Sequence, residues 1–245
     1  MAKMNRASPV EVLRSCVFYV VFYLGTIAYV LTAFCAQVFG PGAFQAVAAA
    51  WSRFHRDCAR VLLGIKVEFE GTLPQAGALV AIKHESFFEA LDLPNLFATT
   101  AIFAKAELLR IPLWGKAGAA YGLIPVERDQ GARALRTMLA EARRQAAAGR
   151  VLVIFPEGTR VRHCTHAPLQ AGFAGLYKIL ALPVVPVAVD SGSLYHRRWK
   201  QAGTIRYRVG EPIPPGLPRA EIEARVQAAI NTLNPPGGSG PVHAG

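Results

Sequence analysis

A histidine and a glutamate, five positions apart, are the side chains of this sequence best suited to acid–base chemistry. His84 and Glu89 lie in the segment 83–89 (KHESFFE), directly after an apolar run. A histidine can remove a proton from a hydroxyl near neutral pH, and a carboxylate bound to its ring fixes the tautomer and stabilises the imidazolium. We therefore predict that His84 is a general base and that Glu89 orients it.

The spacing of this pair constrains the local fold. A helix has 3.6 residues per turn, so two side chains five positions apart point in directions that differ by about 140°. His84 and Glu89 therefore meet only if His84 lies in a loop and Glu89 lies in the first helical turn. Ser86 is a favourable helix N-cap between them. Two alternatives stay open: Ser86 and Glu89 form a capping box that leaves His84 a structural role, or Asp92 is the partner of His84.

Three further segments are informative, and two of them carry candidate binding residues. Residues 155–160 (FPEGTR) follow an apolar run. Gly158 permits a tight turn there and Arg160 can bind a phosphate through two parallel hydrogen bonds, although a simple turn with a surface salt bridge also fits. Residues 122–128 (GLIPVER) predict a short strand that ends in an arginine. Residues 184–189 (VVPVAV) predict a buried strand.

The order and the intervals of these four segments resemble those of the PlsC-like glycerolipid acyltransferase family. The family motifs His-x4-Asp, Gly/Ile/Pro/Arg, Phe-Pro-Glu-Gly-Thr-Arg and Val-Pro-Val match residues 84–89, 122–128, 155–160 and 184–187 here, and the resemblance covers about residues 60–215. The Phe-Pro-Glu-Gly-Thr-Arg string is highly specific in combination with the histidine motif. Glu89 stands where the family usually carries aspartate, but it keeps the charge and both acceptor oxygens, so we interpret it as a tolerated variant.

The resemblance implies acyl transfer from a thioester to the sn-2 hydroxyl of 1-acyl-sn-glycerol-3-phosphate (lysophosphatidate), which gives phosphatidate for phospholipid biosynthesis. Acyl-CoA or acyl carrier protein supplies the acyl chain as a co-substrate, and no cofactor is expected. His84 and Glu89 are the implied catalytic pair. The implied substrate-binding residues are Lys105, Gly122, Arg128, Phe155, Pro156, Glu157, Gly158, Thr159 and Arg160.

Within this set the resemblance implies distinct roles. Arg128 and Arg160 bind the acceptor phosphate, and Lys105 assists them or donates toward the oxyanion. Glu157 and Gly158 shape the acceptor pocket. Two alternative functions stay open: a related acyltransferase for another lyso-lipid, such as lyso-ornithine lipid or a lysophospholipid, and a non-catalytic membrane protein that binds lipid.

A metal centre is not expected. His163, Cys164 and His166 lie close together in the sequence, but three ligands in a flexible basic loop do not make a closed zinc site. Four widely spaced cysteines do not indicate a disulfide framework and fit a reducing compartment. The sequence also lacks GxGxxG, P-loop and GxSxG motifs, which argues against dinucleotide, nucleotide and serine-hydrolase chemistry.

The elements that must position these residues follow from the hydrophobic pattern. Short apolar runs predict buried strands at 79–82, 100–103, 123–126, 151–155 and 184–189, with an additional edge strand at 205–209. Helices are predicted at 86–98, 113–120, 131–148, 170–181 and 219–233. Alternation of this kind predicts an α/β fold in which helices flank a mostly parallel central sheet. We assign residues 65–233 to this acyltransferase domain and the Pro/Gly-rich residues 234–245 to a disordered tail.

An uncharged apolar run precedes the domain. Residues 17–39, as a helix at ~1.5 Å per residue, would measure about 35 Å and so exceed a bilayer core of about 30 Å. Three basic residues before the run favour a cytoplasmic amino terminus. Residues 43–63 predict an amphipathic helix, so residues 1–64 form an N-terminal helical membrane anchor that either spans the bilayer or dips into one leaflet as a hairpin. We expect a membrane protein of the bacterial inner-membrane type with a cytoplasmic catalytic domain.

The composition fits a membrane protein that binds anionic ligands. Of the 245 residues, 52% are hydrophobic and 18% are charged, and the formal net charge is +11. A basic balance favours phosphates, lipid headgroups or nucleic acid, but the apolar excess and the lack of a long lysine or arginine run favour lipid. The expected partners are lysophosphatidate, an acyl-CoA or acyl carrier protein donor and the phospholipid bilayer, but no nucleic acid.

Overall fold

The computed structural model describes residues 7–110, 114–127 and 131–235, and it confirms the predicted α/β fold. The strands are β1 (Ile65–Glu70), β2 (Leu79–Ile82), β3 (Thr100–Lys105), β4 (Leu123–Val126), β5 (Val151–Ile154), β6 (Val184–Val189) and β7 (Gly203–Val209). The helices are α1 (Pro9–Ala36), α2 (Pro41–Cys58), α3 (Phe88–Leu96), α4 (Ala106–Leu109), α5 (Trp114–Tyr121), α6 (Gly131–Ala147), α7 (Ala171–Leu180), α8 (Gly192–Tyr195) and α9 (Arg219–Ile230).

The strand order across the sheet is β1-β7-β6-β2-β5-β3-β4. Strands β6, β2, β5, β3 and β4 are parallel to one another, whereas β7 pairs antiparallel with β6 and parallel with β1. The carboxyl ends of the five parallel strands therefore meet at one edge, with β2 between β6 and β5. Ligands bind at this edge in open α/β sheets.

Each face of the sheet has its own hydrophobic core. Successive residues of the central strand β2 point to opposite faces, and all four of them are fully buried. Val80 and Ile82 belong to a cluster with residues of α1 and α3, whereas Leu79 and Ala81 belong to a cluster with residues of α6, α7 and α9. The sheet is thus covered on both sides, as is usual for parallel strands.

Two strands differ from the prediction. β1 is absent from it because this strand (IKVEFE) alternates apolar and charged residues, and only Ile65 is buried. The predicted edge position of β7 is wrong, because β7 lies between β1 and β6 with Ile205 and Tyr207 fully buried. β1, the strand missing from the prediction, is the edge strand on this side of the sheet.

The N-terminal helices form an antiparallel hairpin. α1 begins after Ser8, whose side chain takes part in a capping box, and it continues into a single turn of 3-10 helix at Gln37–Phe39. Gly40, with a φ of +96°, then separates the two helices. α2 packs back along α1, where Trp51 Nε1 donates a hydrogen bond to Thr26 Oγ1 (3.0 Å). Both ends of the hairpin therefore meet the domain on the same side.

α1 carries apolar side chains that the domain does not cover. Among the described residues, the helical segment Pro9–Phe39 is the one candidate membrane span, with a mean hydropathy of 2.0 and 11% of its residues buried in the most apolar window. Its exposed apolar side chains include Val20, Leu24, Ile27, Leu31 and Phe34. A face of this kind is typical of a helix in contact with lipid.

One ion pair joins the hairpin to the domain. Arg56 of α2 donates two hydrogen bonds to Asp92 of α3, with Nε–Oδ1 and Nη2–Oδ2 distances of 2.8 and 2.6 Å. Asp92 is fully buried. Arg60, about one turn along from Arg56, pairs instead with the exposed Asp57. Arg56 and Arg60 therefore differ in whether their partner is buried.

Arg56→Ala should lower the free energy of unfolding by about 2–3 kcal/mol, because it leaves the buried Asp92 carboxylate without its partner. The matched control Arg60→Ala removes an exposed pair and should cost less than about 0.5 kcal/mol. Denaturant unfolding of the proteins purified in detergent measures both changes. Equal losses for the two variants would contradict this role of Arg56.

Candidate active site

The loop after β2 brings His84 and Glu89 together. The distance from His84 Nδ1 to Glu89 Oε1 is 3.0 Å. His84 lies in the loop and Glu89 lies in the first turn of α3, which is the geometry that their spacing requires. Asp92 is not the partner of His84, because its two oxygens are engaged by Arg56.

The carboxylate of Glu89 is fully buried, yet it is surrounded by donors. Its Oε1 accepts the backbone N–H groups of Glu85 (2.5 Å) and Ser86 (2.6 Å) in addition to the bond from His84. Its Oε2 accepts the hydroxyls of Ser86 (2.9 Å) and Ser191 (2.6 Å). Burial raises the pKa of Glu89, but the hydrogen bonds from His84, Ser191 and Ser86 more than offset that effect, so the pKa lies below its ordinary value.

The charge on Glu89 fixes the tautomer of His84. An ionised carboxylate only accepts hydrogen bonds, so we assign the shared proton to Nδ1 of His84. Nε2 then holds the lone pair and is the basic site. The imidazole stacks on Phe155 with ring centroids 4.2 Å apart, and the side chain is 16% exposed. Nε2 has no hydrogen-bond partner among the described residues, which leaves it available to a substrate hydroxyl.

Glu89 serves both the helix and the histidine, so the two interpretations of the motif are not exclusive. The predicted helix start at residue 86 is two residues early, since α3 begins at Phe88 and Ser86 stays in the preceding turn. The Ser86 hydroxyl accepts the N–H of Phe88 (3.0 Å), and the Ser86 N–H donates to Glu89. The turn therefore has the reciprocal bonds of a cap while Glu89 also holds His84.

Ser191 completes the site and is not identified by the sequence analysis. It follows β6, the neighbour of β2, and its hydroxyl donates to Glu89 and lies 2.8 Å from Ser86 Oγ. The available signal is its position, as a polar residue almost directly after a buried strand. Hydrophobic periodicity does not give the order of strands in a sheet, so it could not place Ser191 beside Glu89.

The segment 155–160 packs against the histidine loop. Glu157 is buried and accepts hydrogen bonds from Lys83 Nζ (2.6 Å) and from the backbone N–H of His84 (3.4 Å). The N–H of Val161 donates to the carbonyl of His84 (2.7 Å). These bonds lock the two loops together. Glu157 therefore supports His84 from inside the protein and does not form the exposed surface of a pocket.

The other residues of this segment take different positions. Pro156 is buried, Gly158 turns the backbone at a φ of +68°, and Thr159 is exposed. Arg160 is also exposed, and its Cζ lies 4.1 Å from the centroid of the Phe87 ring. No described carboxylate forms an ion pair with Arg160, so its guanidinium is available to an anionic ligand.

An open pocket of about 350 Å³ lies beside these loops. Its lining consists of two aromatic residues, Phe87 and Tyr195, and five basic ones, Arg160, His196, Arg197, Arg198 and Lys200. Burial lowers the pKa of His196, and the positive charge of Arg160 lowers it further. The charge of Glu89 raises this pKa, and the charge of His84 lowers it. The pocket is thus cationic and within electrostatic reach of the catalytic pair.

Two of the predicted binding residues, Gly122 and Lys105, do not line this pocket, and a third, Arg128, is not among the described residues. Gly122 lies at the amino-terminal end of β4, at the sheet edge opposite to the catalytic pair. Its φ of +118° lies in the region that favours glycine, and an added Cβ would lie only 3.0 Å from the backbone oxygen of Thr100, so glycine is needed there for backbone conformation and packing. Lys105 ends β3 at the catalytic edge and is exposed. Arg128 lies outside the described residues, so its role stays a prediction.

Glu85 and His163 form a second buried pair next to the site. Glu85 accepts the N–H of Gly192 (2.7 Å), and its Oε1 lies 3.2 Å from His163 Nδ1. Burial raises the pKa of Glu85, and the hydrogen bond that His163 donates to Glu85 raises the pKa of His163. His166 Nε2 lies 2.7 Å from the carbonyl oxygen of Asn234, which is itself buried although the predicted tail begins there. No group of His, Cys, Asp and Glu side chains suited to a metal occurs in the described ranges, and the absence of a metal stays a prediction.

Comparisons with known proteins agree on one family. The family model described as Acyltransferase matches residues 64–190, which include His84, Glu89 and the segment 155–160. A protein of Pseudomonas aeruginosa named 1-acyl-sn-glycerol-3-phosphate acyltransferase is 29% identical over 93% of this chain and 88% of its own length. A protein of the same name from Helicobacter pylori is 30% identical over 64% of this chain and 68% of its own length.

A solved structure shares the fold. The crystal structure of the 1-acyl-sn-glycerophosphate acyltransferase PlsC from Thermotoga maritima superposes with a TM-score of 0.69. The match covers 94% of this chain and 100% of that chain at 19% identity. The common architecture therefore includes the N-terminal helices as well as the sheet.

Glu89→Gln should reduce kcat at least about 100-fold, because a neutral amide cannot stabilise the imidazolium that forms on His84. Glu89→Asp keeps the charge and should retain much more activity than the glutamine variant. Steady-state acyl transfer by the purified proteins measures both, with circular dichroism to establish that they fold. A glutamine variant as active as the wild type would show that Glu89 serves the helix alone.

Ser191→Ala should lower kcat about tenfold, because it removes a charge-assisted hydrogen bond from the buried carboxylate. Loss of a donor to the charged form raises the pKa of Glu89, so at low pH, where Glu89 becomes protonated, the activity of Ser191→Ala should fall further relative to the wild type. Ser193→Ala is the matched control, since Ser193 Oγ lies 3.4 Å from the carbonyl of Asp190 and has no bond to Glu89. Identical pH–rate profiles for the two variants would exclude a positioning role for Ser191.

Proposed function

We propose that this chain, which belongs to the acyltransferase family, transfers an acyl chain from a thioester donor to the sn-2 hydroxyl of 1-acyl-sn-glycerol-3-phosphate. The product would be phosphatidate, in phospholipid biosynthesis. The names of the relatives support this acceptor. The observation that carries the chemistry is the basic Nε2 of His84, which Glu89 orients beside a cationic pocket.

The proposed reaction is direct transfer with general-base catalysis. Nε2 of His84 removes the proton of the acceptor hydroxyl as its oxygen attacks the thioester carbonyl. The tetrahedral intermediate then expels the thiolate as the C–S bond breaks, and the imidazolium returns its proton to that sulfur. Glu89 stabilises the imidazolium between the two proton transfers, because its negative charge lies 3.0 Å from Nδ1.

The surroundings of His84 favour direct transfer over an acyl-enzyme. Ser86, the nearest hydroxyl in sequence, is fully buried and bound to Glu89 and Ser191, so it is not accessible to a thioester. Cys164 is a second potential nucleophile, but burial raises the pKa of its thiol and so disfavours the reactive thiolate. The attacking group is therefore the acceptor hydroxyl itself.

The two substrates of the proposed reaction are both anionic. Arg160 would bind the acceptor phosphate from its position over Phe87. Lys105 ends β3, on the far side of β5 from His84, and is a candidate for contact with either substrate. Arg128, which lies outside the described residues, is a candidate from the resemblance alone. The donor in this proposal is acyl-CoA or acyl carrier protein, which share the reacting thioester.

The same proposal places the protein at the cytoplasmic face of a membrane of the bacterial inner-membrane type. The uncovered apolar face of α1 supports contact with the bilayer core. Both ends of the hairpin meet the domain, so the domain would lie against the membrane surface at which the hairpin enters the bilayer. The acceptor could then react without leaving the membrane.

His84→Ala should reduce acyl transfer to lysophosphatidate at least about 100-fold while the protein remains folded, because the general base is removed. The assay uses membrane fractions with each donor, acyl-CoA and acyl carrier protein, in parallel. His166→Ala is the matched control, because His166 lies in the same domain and its ring is bonded to the carbonyl of Asn234, away from Glu89. A folded His84→Ala protein with near-normal turnover would refute the proposed chemistry.

A further inference from the structure

We infer that residues 196–200, after α8, form the second half of the phosphate-binding site, with Arg197 and Arg198 as specificity-determining residues for an acceptor that carries a phosphomonoester. Arg160 on the opposite wall would provide the first half. This inference rests on the proposed function, since it names the part of that acceptor which these residues recognise.

The charge of the pocket indicates an anionic ligand. Arg160, Arg197, Arg198 and Lys200 all line it, and none of the seven lining residues is acidic. None of these four cations forms an ion pair with a carboxylate in the described part of the chain. Four cations without a carboxylate partner around one small opening create a positive potential, which favours an anionic ligand.

The pocket lies away from Lys105, another cation that is predicted to bind substrate. Strand order places β6, and therefore residues 196–200, on one side of β2, whereas β3 and β4 lie on the other side beyond β5. Lys105 ends β3, so it is remote from the pocket along the sheet edge, and it is not among the lining residues. Arg160 thus groups with residues 196–200 rather than with Lys105. His84, which follows β2, lies between these two positions along the sheet edge.

The size of the pocket favours a small headgroup. Its volume of about 350 Å³ is near the lower end of the range of roughly 300–1,000 Å³ found for small-molecule sites. A glycerol phosphate group fits within this volume. Phe87 and Tyr195 provide apolar walls for the carbon atoms of the headgroup.

Contacts with α1 place the loop next to the helix that would meet lipid. The Tyr19 hydroxyl donates to the carbonyl of Arg198 (2.6 Å), and Ser15 Oγ accepts the backbone N–H of Lys200 (2.8 Å). Gln201 also donates to Glu11 (3.0 Å). A lipid whose acyl chain lies along α1 would therefore present its headgroup to this loop. This geometry favours the membrane-borne acceptor over a water-soluble donor as the ligand.

Lys200 has a supporting role within the loop. Its Nζ donates to the carbonyl of Tyr195 (2.9 Å) and lies 3.7 Å from the centroid of the Tyr195 ring. Burial lowers the pKa of Lys200 to about 8, and a bound phosphate would raise it again. Because Lys200 also packs the loop, Arg197 and Arg198 are the better positions for substitution.

The double variant Arg197→Gln/Arg198→Gln should raise the KM for lysophosphatidate at least about tenfold, which corresponds to about 1.4 kcal/mol of binding. The KM for the acyl donor and kcat at saturating acceptor should stay near their wild-type values. The preference for lysophosphatidate over monoacylglycerol, which has no phosphate, should fall by a similar factor. Assays in micelles of a neutral detergent remove the contribution of anionic bilayer lipids.

The matched control is Arg162→Gln, which removes an exposed arginine that does not line the pocket and should leave both KM values unchanged. A raised donor KM with an unchanged acceptor KM would assign the pocket to the donor and overturn the inference. So would a double variant that binds phosphatidylglycerol vesicles less well but keeps its acceptor KM in micelles, because the arginines would then contact the bilayer.

The failure of this inference can be told from failure of the proposed function. If the wild-type protein does not acylate lysophosphatidate with either donor, the proposed function is wrong and this inference falls with it. If the wild-type protein does so and the double variant has the same acceptor KM, the proposed function stands and only the role of Arg197 and Arg198 is refuted.

Discussion

The negative charge of Glu89 is buried under the loop that carries His84, and a charge in that position must be surrounded by donors. Two backbone N–H groups, two serine hydroxyls and the His84 ring supply them. This set of bonds shapes the turn before α3, keeps the carboxylate ionised and fixes which nitrogen of His84 is basic. One of the hydroxyls belongs to Ser191, so the constraint extends across the sheet from β2 to β6.

Two other buried contacts hold the surroundings of this carboxylate in place. Lys83 and Glu157 join the histidine loop to the segment 155–160, which brings Phe155 against the His84 ring. On the other side, the loop after α8 is bonded to the N-terminal helix α1. His84 is therefore held by the domain core, and the loop after α8 is held by a helix with an uncovered apolar face. In the proposed function this arrangement links membrane contact to substrate binding.

Local features of the sequence predict much of this site, whereas contacts that depend on the order of strands in the sheet could not be predicted. The meeting of His84 and Glu89 follows from their spacing and a turn-forming serine, and the buried strands follow from continuous apolar runs. Ser191 could not be predicted, because its proximity depends on β6 lying beside β2. The edge strand β1 is missed because its charged residues interrupt the apolar pattern. Gly122 belongs to a motif that the resemblance links to substrate, yet its position at the opposite edge shows a packing role.

The tautomer of His84 tests the central claim most directly, because the whole account depends on a basic Nε2 held by Glu89. Nitrogen chemical shifts of protein labelled with 15N-histidine report it, with the His84 signals assigned by comparison with a His84→Ala sample. The account predicts that the neutral ring carries its proton on Nδ1 and the lone pair on Nε2. A neutral ring with its proton on Nε2 would contradict it.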